Sequence, residues 1–240
     1  MTMRYTGIGL DSRHRVSVRG TEPAGPRSGV SSSNSPFATT RRSLGARTVI
    51  AWRFRVGGLV SPRLGNVGEF VPPQERFYGG GPSSVRGYGQ NELGPVVRVI
   101  GDSVDSNSDG IKDQPADTIL APTGGDQLLF ANAELRFPLP IAPERLRAAI
   151  FVDVGQVFQS SDDLVRLRGV RATPGAGIRI ITPLGPVRLD VAYNGYAPTA
   201  GPLYRQQGTQ LVLVDPAFQP ATPDGFFSRL RVHLSVGQAF

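Results

Sequence analysis

The segment Arg76-Phe-Tyr-Gly-Gly-Gly-Pro-Ser-Ser-Val-Arg-Gly-Tyr88 decides how the rest of the chain is read. It suits neither a regular strand nor a helix. Gly79, Gly80 and Gly81 are free to take positive φ, Pro82 fixes the next turn, and Ser83 and Ser84 can bond locally to backbone. The chain is therefore expected to fold back tightly and to present Arg86 at the tip of a loop. A guanidinium among small and aromatic neighbours suits a bidentate contact with a carboxylate in a confined place. A solvated, glycine-rich surface turn has the same local composition, so the flanking sequence has to choose between them.

Four further segments lie downstream: Ala131-Asn-Ala-Glu-Leu-Arg-Phe-Pro-Leu139, Phe151-Val-Asp-Val-Gly-Gln-Val-Phe158, Gly175-Ala-Gly-Ile-Arg-Ile-Ile-Thr-Pro-Leu-Gly-Pro186 and Val232-His-Leu-Ser-Val-Gly-Gln-Ala-Phe240. With the loop, whose motif positions are Gly79, Gly80, Val85, Gly87 and Tyr88, they stand in the order seen in the outer-membrane insertases. From about Arg76 to Phe240 the chain resembles this BamA/TamA family, the bacterial surface antigen domain. The resemblance implies an all-β fold, the C-terminal part of an antiparallel transmembrane β-barrel of sixteen strands, incomplete in this chain.

Composition alone would not have chosen a membrane protein. The chain has 240 residues, 39% apolar and 19% charged, which lies inside the globular range. It contains no apolar run long enough for a transmembrane helix, which leaves a transmembrane barrel open because barrel strands alternate. The 30 glycines and 21 prolines favour many turns, and the absence of cysteine rules out disulfides and thiolate metal sites. A net charge of +7 raises nucleic acid as a partner. The arginines, however, are dispersed at alternate positions in apparent strands, as in a polar barrel lumen, so no nucleic-acid partner is expected.

Residues 1–43 form a poorly defined N-terminal segment, and residues 44–240 a partial barrel domain that includes the loop at 76–95. Met1 to Thr40 has no apolar core or cleavage site of a secretory signal. The chain is accordingly expected to be the C-terminal piece of a longer protein or to start too late, and Gly20 to Phe37 to be loop or disordered. From Leu44 to Val56 a period of two places Leu44, Ala46, Thr48, Ile50, Trp52, Phe54 and Val56 on one face and Arg47, Arg53 and Arg55 on the other. Leu128 to Phe137 alternates likewise, with Asn132, Glu134 and Arg136 on the polar face. In Leu146 to Phe158, Leu146, Ala148, Ile150, Val152 and Val154 face lipid, and Arg147, Phe151, Asp153 and Gly155 face inward. Gly175 to Ile181 and Val187 to Asn194 form a hairpin with Arg179, Arg188 and Asp190 inward. Gly175-Ala-Gly is read as room for a close strand contact. The stretch between the loop and about Gln127 is expected to be irregular, and Gly195 to Phe227 a long loop, with a short hairpin arm near Gln210 to Val214. The last strand, Arg229 to Phe240, has Leu230, Val232, Leu234, Val236 and Phe240 on one face.

Asp105, Asn107, Asp109 and Asp113, with Gly110 at the sixth place, make the front half of a calcium loop. Ala116 stands where the bidentate carboxylate is wanted, although Asp117 is adjacent, so a solvated acidic loop is the preferred reading and calcium the alternative; no other cofactor is expected.

The resemblance further implies that Arg86, Glu134 and Asp153 form a lock in the lumen and that Val232, Leu234, Val236 and Phe240 belong to a C-terminal assembly signal. It implies a non-catalytic component of the bacterial outer membrane that inserts, assembles or translocates other outer-membrane proteins. The partners so implied are outer-membrane lipid, client β-barrel proteins and periplasmic or lipoprotein assembly factors. A passive or secretion pore of the same superfamily and a soluble β-sandwich binding module are the alternatives. Enzymatic readings fail on the residues: His14 and His233 have no serine and carboxylate at triad spacing, and the glycine run lacks the Lys-Ser/Thr of a phosphate loop.

Overall fold

The computed structural model describes residues 17–18, 31–32, 37–43, 48–60, 71–101, 117–159, 161–183 and 185–236. They form strands β1 (Ser17–Val18), β2 (Ser31–Ser32), β3 (Phe37–Ser43), β4 (Val49–Val60), β5 (Val96–Ile100), β6 (Thr118–Pro122) and β7 (Gln127–Pro138). Then follow β8 (Leu146–Phe158), the short helix α1 (Ser161–Val165), β9 (Arg171–Thr182), β10 (Gly185–Tyr193), β11 (Gly201–Gln207), β12 (Gln210–Phe218) and β13 (Leu230–Val236).

Nine strands make one sheet in the order β1-β3-β4-β7-β8-β9-β10-β13, with β2 also on β4. Its pairings are antiparallel, and among the described residues the sheet does not close on itself. Strict alternation builds its two faces. In β7, Leu128, Phe130, Asn132, Glu134 and Arg136 are buried while the residues between them are not. In β8 the alternating buried set is Ala149, Phe151, Asp153, Gly155 and Val157, with Phe158 buried beside it at the strand end. The opposite face shows Trp52, Phe54, Ile150, Val152, Ile178, Ile180 and Leu189, all exposed. The sheet therefore buries its charges and exposes its aliphatics, the reverse of a water-soluble sandwich and the arrangement of a wall facing lipid.

Connections at the two ends differ in length. The turns from β7 to β8 and from β9 to β10 are short, and the latter pairs Gly185 directly with Thr182. At the other end, residues 61–126 join β4 to β7 and residues 194–229 join β10 to β13. These two excursions meet in a second sheet of order β12-β11-β5-β6.

That second sheet corrects two expectations. The stretch before Gln127 is not wholly irregular, since it contains β5 and β6. The segment Gly195 to Phe227 holds a full hairpin rather than a short arm. One of its pairings, β11 on β5, is parallel, with Leu203 opposite Arg98. The strand expected from Leu44 begins at Val49; Leu44, Ala46 and Arg47 lie outside the described residues. Phe37, expected in a loop, opens β3. Pro138 lies within the end of β7 rather than after it.

Candidate functional site

The loop at 76–95 enters from the long-connection end and packs against the inner face of the wall. Single bridges anchor its two arms, Phe77 with Gly125 and Gly79 with Leu93. Gly80 and Gly81 take φ of 101° and 90°, where a side chain would be strained. The Ser84 hydroxyl donates to the Gly80 carbonyl at 2.8 Å and accepts from the Gly80 amide at 2.9 Å, closing the turn. Val85, Tyr88 and Leu93 then form one apolar cluster with Leu128, Phe130 and Val157 of the wall, and Phe77 packs against it. Burial raises the Tyr88 phenol above its ordinary value, and its oxygen accepts from Arg171 Nη1 at 2.9 Å.

Seated this way, Arg86 is 1% exposed. Its Nε and Nη2 donate to the two oxygens of Asp153 at 2.7 and 2.8 Å, and its backbone amide donates to the same carboxylate at 3.0 Å. Nη1 donates to Glu134 at 2.8 Å and more weakly to Asp190 at 3.4 Å. The guanidinium lies 3.3 Å from the centroid of the Phe151 ring, a cation–π contact from below. Space for that ring comes from Gly175, where a Cβ would stand 2.3 Å from Phe151 Cζ. The close strand contact expected at Gly175-Ala-Gly is thus present in the geometry.

Strand register arranges the lumen face in rows. Successive pairings align Asn132, Asp153 and Thr173 in one row, Glu134, Phe151 and Gly175 in the next, and Arg136, Ala149, Gly177 and Asp190 in a third. The next row places Arg147, Arg179 and Arg188 side by side. Like charges directly opposite are unfavourable unless acids intervene. Here Arg179 reaches Asp190 and, at 3.0 Å, Glu134, while Arg136 reaches Glu134 at 2.7 Å. Glu134 therefore serves Arg86 and two strand arginines at once. Its contact with Arg136, through the other carboxylate oxygen, coexists with the contact to Arg86.

Backbone carbonyls of the loop are also held from the wall. Arg188 donates to Pro82 at 3.0 Å, Arg53 to Ser83, and Asn132 to Ser84 at 2.6 Å. His233 of β13 lies 2.8 Å from the Arg86 carbonyl through Nε2, which must carry the proton because a carbonyl only accepts. Four wall strands, β4, β7, β10 and β13, each satisfy one acceptor that would otherwise be orphaned.

The residues singled out in the sequence are distributed as follows. Arg86, Glu134 and Asp153 meet at one point, and Gly79, Gly80, Val85, Gly87 and Tyr88 shape the loop that delivers the arginine. Val232, Leu234 and Val236 share the exposed face of β13 at 63, 73 and 72% exposure, whereas Phe240 lies outside the described residues. Asp105, Asn107, Asp109 and Asp113, the calcium reading, lie outside them too. Sequence reasoning did not anticipate Asp190 as a third acid, Phe151 beneath the guanidinium, or the contacts of Asn132 and His233. All four stand at inward-phased positions, which was the only signal available.

Nothing in this cluster is arranged as a nucleophile beside a base. Three carboxylates and several guanidinia instead form a buried, mutually compensated network, in which loss of one member leaves a stranded charge costing about 3–5 kcal/mol.

A family model described as the Omp85 superfamily domain matches residues 27–240. The outer membrane protein assembly factor BamA of Neisseria meningitidis serogroup B is 29% identical over 148 residues, covering 51% of this chain and 17% of that protein. Among solved structures, BamA from Haemophilus ducreyi lacking POTRA domains 1-3 superposes with a TM-score of 0.49 at 21% identity, over 78% of this chain and 33% of the other. The match thus spans about a sixth of the curated relative's length.

Proposed function

The chain belongs to the Omp85 superfamily, and from that premise we propose that it is the C-terminal part of a barrel that inserts, assembles or translocates other outer-membrane proteins without covalent chemistry. It is a protein of the bacterial outer membrane. The observation that carries the proposal is the anchoring of one buried loop to the wall. Arg86 is clamped by Asp153 of β8, Glu134 of β7 and Asp190 of β10, and its carbonyl is bonded to β13.

In this reading the short turns face the periplasm and the long excursions the exterior, as in outer-membrane barrels generally. β13 is an edge whose outward residues face lipid, and an exposed edge templates an incoming client strand by β-augmentation. Local thinning of the bilayer beside a short wall lowers the barrier to insertion. The clamp fixes the wall from inside, so the edge is presented by a rigid frame. Lipid, client barrels and assembly lipoproteins are the partners that follow from this mechanism.

Arg86→Ala, introduced into the full-length protein, tests it. We expect loss of the compact, heat-modifiable band on cold gels and poor complementation of a depleted strain. Normal mobility together with full complementation would end the lock reading. A passive pore remains the second reading because Arg53, Arg179 and Arg188 face the lumen and favour anions. An anion-selective conductance without a depletion phenotype selects it.

A further inference from the structure

At the long-connection end, the Arg86 loop, β5, β6, the segment that follows β10 and the start of β13 line a cavity of about 80 Å³. That is room for a few water molecules or for one compact oxyanion. Arg98 of β5 lines it and is 7% exposed. Its Nη2 donates to the Thr199 carbonyl at 2.8 Å, which fixes the guanidinium plane. Its Nη1, equally buried, has no hydrogen-bond partner among the described residues. A buried cationic donor left unmade is costly, so such an atom calls for a ligand.

The charges around the cavity agree. Arg229 and Arg231 line it with Arg98, against a single acid, Glu92. Glu92 is turned back on its own turn, where its Oε2 accepts from the Gly89 amide at 3.0 Å, and it makes no ion pair with Arg98. Arg229 is held by the carbonyls of Pro223 and Gly195 and so is placed rather than loose. The lining also includes Tyr88, whose own loop carries Arg86.

We propose that this cavity binds one phosphate-type oxyanion, seated on Nη1 of Arg98 with Arg229 and Arg231 supplying the remaining charge. The anion joins the lumen loop to the second sheet and to the start of β13. It comes either as free phosphate or as the headgroup of an anionic lipid. The inference does not depend on the insertase reading, since a pore of the same fold would hold the same site.

The test uses the full-length protein, folded as judged by heat-modifiable mobility. In zwitterionic micelles, inorganic phosphate is titrated by calorimetry. In nanodiscs, the melting temperature is compared in phosphatidylcholine with and without phosphatidylglycerol. Wild type should bind phosphate saturably or be stabilised by the anionic lipid, and the arm that responds identifies the source. Arg98→Gln should weaken the response about tenfold or more, while Arg168→Gln on the surface after α1 should leave it unchanged. If Arg98→Gln does not fold, Arg231→Gln, at an exposed position, should still reduce the response severalfold. Absence of any response in both arms, or equal binding by wild type and the cavity variants, overturns the proposal.

Discussion

Asp153 and Glu134 hold the same guanidinium but in unequal ways. Asp153 gives Arg86 both oxygens in a planar fork and also accepts its backbone amide, whereas Glu134 gives it one oxygen and shares the other between Arg136 and Arg179. Asp153→Asn should therefore displace the loop and cost about 3–5 kcal/mol, close to Arg86→Ala. Glu134→Gln should cost less, because the two-oxygen fork and amide contact from Asp153 still hold Arg86 and Asp190 remains beside Arg179. Urea unfolding of refolded protein in micelles measures the order, and a Glu134→Gln loss at or above that of Asp153→Asn contradicts it. Gly87 sets a second limit. A Cβ there would stand 2.2 Å from Cγ2 and 2.6 Å from Cβ of Thr173. Gly87→Ala should cost about 1–3 kcal/mol by overpacking, and Thr173→Gly, which removes those atoms, should restore part of it in a double-mutant cycle. No recovery would mean that the loop passes the wall elsewhere. The residues of the clamp were legible unevenly for a related reason. Glu134 and Asp153 sit on neighbouring strands with clean alternation. Asp190 and His233 sit on β10 and β13, which become neighbours only once the intervening β11–β12 excursion is set aside.

From β4 onward, the strands of the main sheet each have a wet side and a greasy side, and β13 shows this with the fewest neighbours. His233 points to the Arg86 carbonyl, and Ser235 is paired with Arg188, while Val232, Leu234 and Val236 face out. Leu234→Arg should therefore cost about 2–4 kcal/mol if that position lies near the bilayer midplane. Ser235→Gln, one residue on and inward, should cost under about 1 kcal/mol, since it exchanges one polar side chain for another. Equal losses at the two positions would show that the faces of β13 are not distinguished. The same alternation explains which elements could be seen in advance. β4, β7, β8, β9, β10 and β13 each run long enough for the period of two to stand out. β5 has only Val96-Val-Arg-Val-Ile100, and β11, Gly201-Pro-Leu-Tyr-Arg-Gln-Gln207, is mostly polar. Their pairing with each other is parallel and spans about a hundred residues of chain, so no local pattern announces it.

At the scale of the molecule, the deciding fact is that polarity is turned inside out. Arg86, Glu134, Asp153 and Asp190 are among the most buried side chains, while Ile150, Val152, Ile178, Ile180, Leu189 and the outward residues of β13 form an apolar band across the four adjacent strands β8, β9, β10 and β13, with Trp52 and Phe54 exposed further along the sheet on β4. Water cannot be the solvent for that band, since exposed apolar patches on monomeric soluble proteins seldom exceed a few hundred Å². An aqueous environment would be expected to drive the sheet to associate through this face, and a bilayer or micelle to cover it without disturbing the charged interior. The full-length protein diluted from urea should consequently give the compact, heat-modifiable form only when detergent micelles or lipid vesicles are present, and should aggregate in buffer alone. Leu234→Arg should lower the folded yield in vesicles more than in buffer, where no such form is expected to exist. A monodisperse, protease-resistant species in detergent-free buffer would mean that the aliphatic face is covered by the protein itself. The buried arginines would then have to be explained as the polar core of a water-soluble sheet instead of the lumen side of a membrane wall.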